Sequence, residues 1–190
     1  LLQENPTVNK EALTELFKIE QYVEMALSCA RLESDSTDYV IRSLPLEQIV
    51  KPAVRKYAPM FISKKLSLEM SSLTATVLTD EKWAQFIIEQ ILSNSLKYTR
   101  TGSIRIWQKD PAALVIEDTG IGIDPADIPR LGERGFTGYN GRLDKKSTGI
   151  GLYLCREISR RLSHTLTIES EPGKGTRVTI DFATRQVQAE

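Results

Sequence analysis

The stretch Glu89-Gln-Ile-Leu-Ser-Asn-Ser-Leu-Lys-Tyr98 closes a run that Asp80 opens. Aspartate suits a helix N-cap, and Trp83, Ile87 and Ile91 follow at helical steps, so the spacing predicts one long helix from Asp80 through Ser95 to Tyr98. At about 100° per residue, Gln90, Asn94, Lys97 and Tyr98 fall on one strip beside the apolar face centred on Ile87, Ile88 and Ile91. An amide oxygen, an ammonium and an aromatic ring on such a strip can hold Mg²⁺, a phosphate and a ring face. An ordinary solvated face would carry the same residues, so the strip gains meaning only from what surrounds it.

On the C-terminal side, Ser103 to Gln108 and Ala112 to Glu117 read as strands, with Lys109-Asp-Pro111 as the hairpin turn between them. On the N-terminal side, residues 66–70 and 76–79 are short strand-like runs. Leu46 to Phe61 is periodic as a helix but contains Pro52 and Pro59. An interior proline costs about 3 kcal/mol, so a kinked or broken helix is expected there. A third helix is predicted from Gly149 to Leu162, followed by alternating strands at Leu166 to Ser170 and Arg177 to Phe182. Between Thr119 and Thr148 lie six glycines and little periodicity, a length typical of a functional lid.

The first part of the chain differs. Leu13, Leu16, Ile19, Val23, Leu27 and Ala30 recur at helical steps, predicting a helix from about Glu11 to Glu33, with Pro6 and Thr7 suited to its start. Its apolar stripe has no obvious partner in the chain, which points to packing in a bundle with a second copy, the alternative being a helix docked on its own domain. Ser34-Asp-Ser-Thr-Asp38 reads as a linker. The expected division is residues 1–37 as helix and linker, and 38–190 as the main domain.

Composition removes several classes. The 190 residues carry 25 Lys plus Arg against 25 Asp plus Glu, with 41% hydrophobic residues, so a disordered tail is excluded. Zero net charge without a basic stripe argues against nucleic acid as a partner. Two cysteines, Cys29 and Cys155, lie far apart and outside any C-x-x-C pattern, so neither a disulfide framework nor structural zinc is expected. The longest apolar run, Ala112 to Ile116, is five residues, where a spanning helix needs about twenty. The chain begins at Leu1 rather than Met, and we expect it to be part of something longer.

Two further constellations carry chemistry. In Ile116-Glu-Asp118-Thr-Gly120-Ile-Gly122-Ile-Asp124 a carboxylate ends a strand and two alternate glycines follow, which lets backbone approach a ligand. Asp118 can accept a hydrogen bond from the exocyclic amine of adenine, whereas guanine presents an oxygen there. In Ser147-Thr-Gly149-Ile-Gly151-Leu-Tyr-Leu154 glycines stand at a helix start, where free N–H groups and the dipole favour phosphate. Leu154 in the third glycine position rules out a dinucleotide fingerprint, and Gly173-Lys-Gly175-Thr176 lacks the Walker spacing and reads as a tight hairpin.

The order and spacing of these four elements, over about residues 46–183, resemble the ATP-binding domain of sensor histidine kinases in the Bergerat, or GHKL, superfamily. The resemblance implies a two-layer α/β sandwich, three helices on a mixed sheet, preceded by part of a helical dimerisation and phosphoacceptor hairpin. It implies ATP and Mg²⁺ as cofactors, with Asn94 as the metal ligand, Lys97 on phosphate and Tyr98 by the nucleotide; Gln90 joins Asn94 and Lys97 as the catalytic set. Asp118 would read adenine, Gly120, Gly122 and Ile123 would shape its pocket, and Thr176 would lie near it. Thr148, Gly149, Gly151 and Leu152 would cradle phosphates. Arg134-Gly-Phe-Thr-Gly138 would supply the lid phenylalanine, Phe136, and Arg142, Lys145 and Lys146 either reach phosphate or are solvated lid charges.

The stretch Gly135 to Tyr153 and the linker Arg31-Leu-Glu-Ser34 look like the bacitracin- and peptide-antibiotic-sensing kinases of Gram-positive bacteria. That narrower resemblance implies the cytoplasmic portion of a bacterial membrane protein, a homodimer. It also implies a response regulator receiver domain and a peptide-antibiotic ABC transporter as partners, and Leu1 to Asn5 as the tail of the hairpin's first helix.

Two residues depart from the pattern. The only histidine, His164, follows the third helix and reads as a residue near the helix dipole rather than as a phosphoacceptor, so the acceptor is expected upstream of Leu1. An ATP hydrolase would need a carboxylate one turn before Asn94 to activate water; Gln90 stands there, and Glu89 lies about 140° around the helix. A silent nucleotide sensor or dimerising scaffold is the alternative outside enzymology.

Overall fold

The structure, a computed structural model, describes residues 6–34, 38–110, 112–138 and 148–183. The chain divides into two compact units, residues up to Asp38 and residues from Tyr39 onward. The first is helix α1, Pro6–Glu33, which starts earlier than the apolar pattern alone suggested. Proline is tolerated at a first helical position because its missing N–H would be unsatisfied there anyway. Leu16, Ile19, Val23 and Leu27 stand exposed along one stripe of α1, with Tyr22 beside them.

The second unit begins with strand β1, Ile41–Pro45, then helix α2, Leu46–Lys64, strands β2, Ser67–Met70, and β3, Thr76–Asp80, and helix α3, Glu81–Tyr98. Strands β4, Ser103–Asp110, and β5, Ala113–Asp118, form the expected hairpin. A short 3-10 turn, Ile128–Arg130, precedes helix α4, Gly151–Arg161, and strands β6, Thr165–Glu171, and β7, Gly175–Asp181, close the unit. Five strands pair in the order β2-β4-β5-β7-β6, parallel between β2 and β4 and antiparallel elsewhere. This is the mixed sheet of the expected α/β sandwich. Helix α3 contacts both α2 and α4. Ile87, Ile88, Ile91, Leu92 and Leu96 of α3 are buried in one core with Ile104, Ile106, Leu114, Ile116 and Ile180 of the sheet.

The register explains where the core gives way to a site. On one sheet face, Leu114, Ile180 and Leu166 form a row, and Ile116, Val178 and Ile168 form the next. The third row is Asp118, Thr176 and Ser170. Alternation holds these polar side chains on the face that the apolar rows occupy.

Three features differ from expectation. Helix α2 is continuous through Pro52 and Pro59. Both prolines lie on its exposed side, while Ile49, Val50, Ala53, Tyr57 and Phe61 are buried. The carbonyls that lose their partners therefore face water, which offsets part of the lost hydrogen bonding. Strand β1 was not foreseen; it pairs with β3 as a separate two-stranded ribbon, and its only fully inward side chain, Leu44, gives no alternating signal.

The third is His164, which stands at the C-terminal end of α4 as expected, its backbone N–H donating to Ser159 O at 2.8 Å, but is also buried. Its Nε2 lies 2.8 Å from Thr79 Oγ1, and its ring meets Phe182 edge-on at 5.0 Å. Burial pushes the imidazole pKa down from 6.5 to about 4, against the opposing pull of Asp181. The unfolded chain then takes up a proton that the folded chain refuses, so stability present above the ordinary value of 6.5 is lost as pH falls from there toward 4. The expected loss is on the order of 2 kcal/mol, read as a falling urea midpoint. His164→Gln should flatten that part of the profile; an unchanged profile would assign the acid sensitivity elsewhere.

Candidate functional site

Helix α3 carries the polar strip. Asp80 Oδ1 accepts from Trp83 N at 3.0 Å, capping the helix, and Oδ2 accepts from Val40 N at 2.8 Å, tying the start of the unit to the same cap. Gln90 is buried, whereas Asn94, Lys97 and Tyr98 are half-buried. The Lys97 ammonium lies 5.3 Å from the centroid of the Tyr98 ring. Asn94 gives no side-chain hydrogen bond to its neighbours among the described residues. Glu89 points elsewhere: Lys56 of α2 holds it at 2.8 Å and Gln85 Nε2 donates to it at 2.8 Å.

Gln90 instead meets the N-terminus of α4. A Cβ at position 151 would sit 2.7 Å from Gln90 Oε1, so glycine lets the Gln90 amide lie against the start of α4 without shifting. Leu152, next on α4, is half-buried. Thr148 is exposed, and its Oγ1 accepts from Ile150 N at 3.4 Å. The Gly149 carbonyl accepts from Gly135 N at 3.3 Å, which ties the residues just before Phe136 to the start of α4. Phe136 lies under the Arg130 guanidinium, 4.2 Å from ring centroid to charge. Arg142, Lys145 and Lys146 lie outside the described residues, as do Leu1 to Asn5.

The third sheet row meets α3 through Asp118, which is 6% exposed. Ser95 Oγ donates to Asp118 Oδ2 at 2.9 Å; Gly120 N and Thr176 N donate to Oδ1 at 2.9 and 3.3 Å. Burial pushes the Asp118 carboxyl above the ordinary aspartate value, and these three donors pull it back. An ionised carboxylate held this way is acceptor-only. Its neighbour Glu117 faces the other side of the sheet, where Arg177 Nη2 pairs with it at 2.6 Å and Arg105 also holds it. The loop after Asp118 is drawn against α3, since Ile121 N donates to Tyr98 O at 3.2 Å. Gly122 has φ +69, and a Cβ there would fall 2.1 Å from Glu171 O, so no other residue fits the turn. Ile123 N donates to Ser170 Oγ at 2.9 Å, which brings β6 into the same cluster.

Asp118, Gly120, Gly122, Ile123, Tyr98 and Thr176 are thus linked by contacts around one loop, while Gln90 and Gly151 meet at the neighbouring helix junction. Sequence reasoning missed Ser95 and Ser170. Ser95 falls one residue after Asn94 on the helix, which was a signal of sorts, whereas Ser170 carried none beyond its strand position.

Residues 79–186 match the family described as histidine kinase-, DNA gyrase B- and HSP90-like ATPase. The chain is similar to the sensor histidine kinase YxdK of Bacillus subtilis (strain 168), 33% identical over 189 residues, covering 96% of this chain and 58% of that protein. It is also similar to the sensor protein BceS of the same organism, 31% identical, covering 96% of this chain and 55% of that one. The sensor histidine kinase GraS of Staphylococcus haemolyticus (strain JCSC1435) is 35% identical, over 91% of this chain and 52% of that one. The chain therefore spans between about half and three-fifths of the length of these curated relatives. Among solved structures, full-length ShkA in complex with AMPPNP superposes with a TM-score of 0.72 at 21% identity, over 90% of this chain and 37% of that one. The Acinetobacter baumannii histidine kinase AdeS gives 0.67 at 18% identity, over 97% and 88%. At such identities the structural likeness is one of fold.

Proposed function

The chain belongs to the histidine kinase-, DNA gyrase B- and HSP90-like ATPase family, and we propose that within it the chain is the catalytic, ATP-binding part of a two-component sensor histidine kinase. The observation that carries the choice of kinase over hydrolase is the pair Gln90 and Glu89. An amide stands where a hydrolase needs a base, and the adjacent carboxylate is committed to Lys56 and Gln85. The relatives' names support the same reading.

The residues fit ATP. Asp118 is a buried acceptor for three donors, and as a carboxylate it is suited to the exocyclic amine of adenine. Asn94 has its amide uncommitted among the described residues and is assigned to Mg²⁺. Lys97 and the α4 N-terminus at Gly151 are assigned to phosphate oxygens. Bound Mg²⁺ would supply charge neutralisation on the phosphate chain. The protein's part is to fix the nucleotide so that the γ-phosphorus is presented to an incoming imidazole nitrogen, with ADP as leaving group, which is catalysis by positioning. The lid from Thr119 to Thr148, with Phe136, and the residues Ile123, Thr148, Gly149 and Leu152 would enclose it.

We assign the attacking histidine to a segment outside these residues, a reading supported by the burial of His164 against Thr79 and Phe182. The phosphoryl group would pass on to an aspartate of a response regulator receiver domain. The exposed stripe of α1 suits the dimerising hairpin of a homodimer, with 1–37 as its second helix and linker and 38–190 as the catalytic domain. No helix among the described residues is long and apolar enough to cross a membrane. We place the chain in the cytoplasmic portion of a bacterial membrane protein, with a peptide-antibiotic ABC transporter as a partner of the whole receptor.

Incubating the 190-residue chain with Mg²⁺ and γ-labelled ATP tests the assignment of roles. It should bind ATP, yet yield neither labelled protein nor more free phosphate than a blank. Phosphohistidine on this chain would make His164 an acceptor, and steady phosphate release would make the chain a hydrolase.

A further inference from the structure

The last carbonyls of a helix have no partner inside it, and those of α3 lie beside the candidate site. Ser95 O accepts from Thr99 N at 3.0 Å, which leaves the carbonyls beyond it to donors from outside. Such donors arrive from two sides. Ile121 N, in the loop after Asp118, donates to Tyr98 O at 3.2 Å. From α2, whose last residue is Lys64, the Lys64 ammonium donates to Leu96 O and, at 3.3 Å, to Thr99 O. A positive charge thereby stands at the negative end of the α3 dipole. The backbone that carries it is held as well: Lys65 takes the left-handed conformation, φ +56, its N–H donates to Ile62 O at 3.2 Å, and Leu66 N donates to Phe61 O at 3.1 Å. Burial draws the Lys64 ammonium below its ordinary pKa of 10.5, which sets it apart from a freely solvated lysine.

The turn between α3 and β4, residues 99–102, is the piece that Lys64 holds, and it is pressed against the loop of residues 118–122. Thr99 is fully buried. A Cβ at Gly120 would fall 2.7 Å from Tyr98 O and 3.0 Å from Thr99 Oγ1, and one at Gly102 would fall 2.1 Å from Thr119 Oγ1. Ser103 N donates to Thr119 Oγ1 at 3.0 Å, and Thr119 N donates to Ser103 O at 3.1 Å. On its other side the turn is tied to β2, where Ser67 N donates to Gly102 O at 3.1 Å. We propose that Lys64 is a positioning residue: by fixing the turn from behind, it sets the height at which the loop of residues 118–122 meets a nucleotide, although α2 carries none of the residues assigned to ATP. The inference rests on the reading that this loop binds ATP. Methionine at position 64 would keep the apolar stem and leave Leu96 O and Thr99 O without their donor. These carbonyls would then turn toward water, and the bond from Ile121 N to Tyr98 O would loosen with them.

The test compares Lys64→Met and Lys64→Arg with the native chain in ATP affinity, by calorimetry, and in amide hydrogen exchange, under conditions where urea titration shows each protein fully folded. Lys64→Met should weaken ATP binding about tenfold, the size of one or two lost hydrogen bonds to a charged group. Exchange at the Ile121 amide should quicken by about the same factor relative to the Val115 and Ile116 amides in the middle of the sheet. Lys64→Arg keeps the charge and the donors, so it should bring both readouts back to within about twofold of native. A folded Lys64→Met protein with native ATP affinity, and with Ile121 exchange unchanged relative to the sheet, would make Lys64 merely stabilising and overturn the inference while leaving the ATP reading standing. Failure of the native chain to bind ATP would remove both. Should Lys64→Met not fold, the native chain decides through the Nζ resonance of Lys64, identified by its loss in Lys64→Arg. Coupling between two sites is reciprocal, so that resonance should shift when ATP is added, and an unmoved resonance contradicts the proposal.

Discussion

Asn94→Ala is expected to abolish Mg²⁺-dependent phosphotransfer by the extended kinase while leaving the fold intact. The side chain is half-buried on α3 and gives no hydrogen bond to its neighbours among the described residues, so its truncation orphans nothing. Alanine is also the better helix former, by up to about 0.7 kcal/mol. What is lost is the proposed metal ligand, and with it the neutralisation of charge at the transferring phosphoryl group. Losses of that kind run to about 10²–10³ in rate or more. Thermal unfolding and the rate of label transfer, measured together, separate the two effects. A melting temperature near that of the native protein with a collapsed rate is the expected pair, and a native rate would strip Asn94 of its role.

Asp118→Ala should have the second largest effect, and it should be mixed. Removing the carboxylate leaves Ser95 Oγ, Gly120 N and Thr176 N without their acceptor in a site that is 6% exposed. Each unsatisfied buried donor costs about 1–3 kcal/mol unless water enters, so the variant should lose several kcal/mol of stability. ATP binding should become undetectable at concentrations that saturate the native chain. Asp118→Asn keeps the volume and one acceptor oxygen but places an NH₂ group among donors and before the amine of adenine. It should remain folded at a cost of about 1–2 kcal/mol and lose on the order of 10²-fold in ATP affinity. Calorimetric titration of the folded Asn variant checks this, and native affinity would mean that adenine is read elsewhere.

Much of the architecture could be read from the chain because its signals are local. Helix α3 has its cap at Asp80 and an unbroken apolar period, and the hairpin of β4 and β5 has its alternation. Pro52 and Pro59 misled because the cost of a helical proline depends on whether the freed carbonyl meets water, and that depends on which face of α2 is buried. The burial of His164 was not legible for a related reason. Its environment is made by Thr79, 85 positions away, and by Phe182, so desolvation is invisible in the neighbouring residues. The same limit applies within the site. Glycines announce themselves because few positions tolerate them well, whereas Ser95 and Ser170 are ordinary in composition. Their meaning lies in the strand register and helix packing that bring their hydroxyls to Asp118 and Thr176.

Kinase and hydrolase differ in where the γ-phosphate of ATP goes. The chain, extended upstream to include the proposed phosphoacceptor hairpin, would be given Mg²⁺ and γ-labelled ATP, with protein-bound and free phosphate followed together. A histidine kinase yields label on the protein that is labile in acid and stable in base, as a phosphoimidazole is, and little free phosphate; this is the expected result. Release of free phosphate with unlabelled protein would contradict it and make the domain an ATP hydrolase.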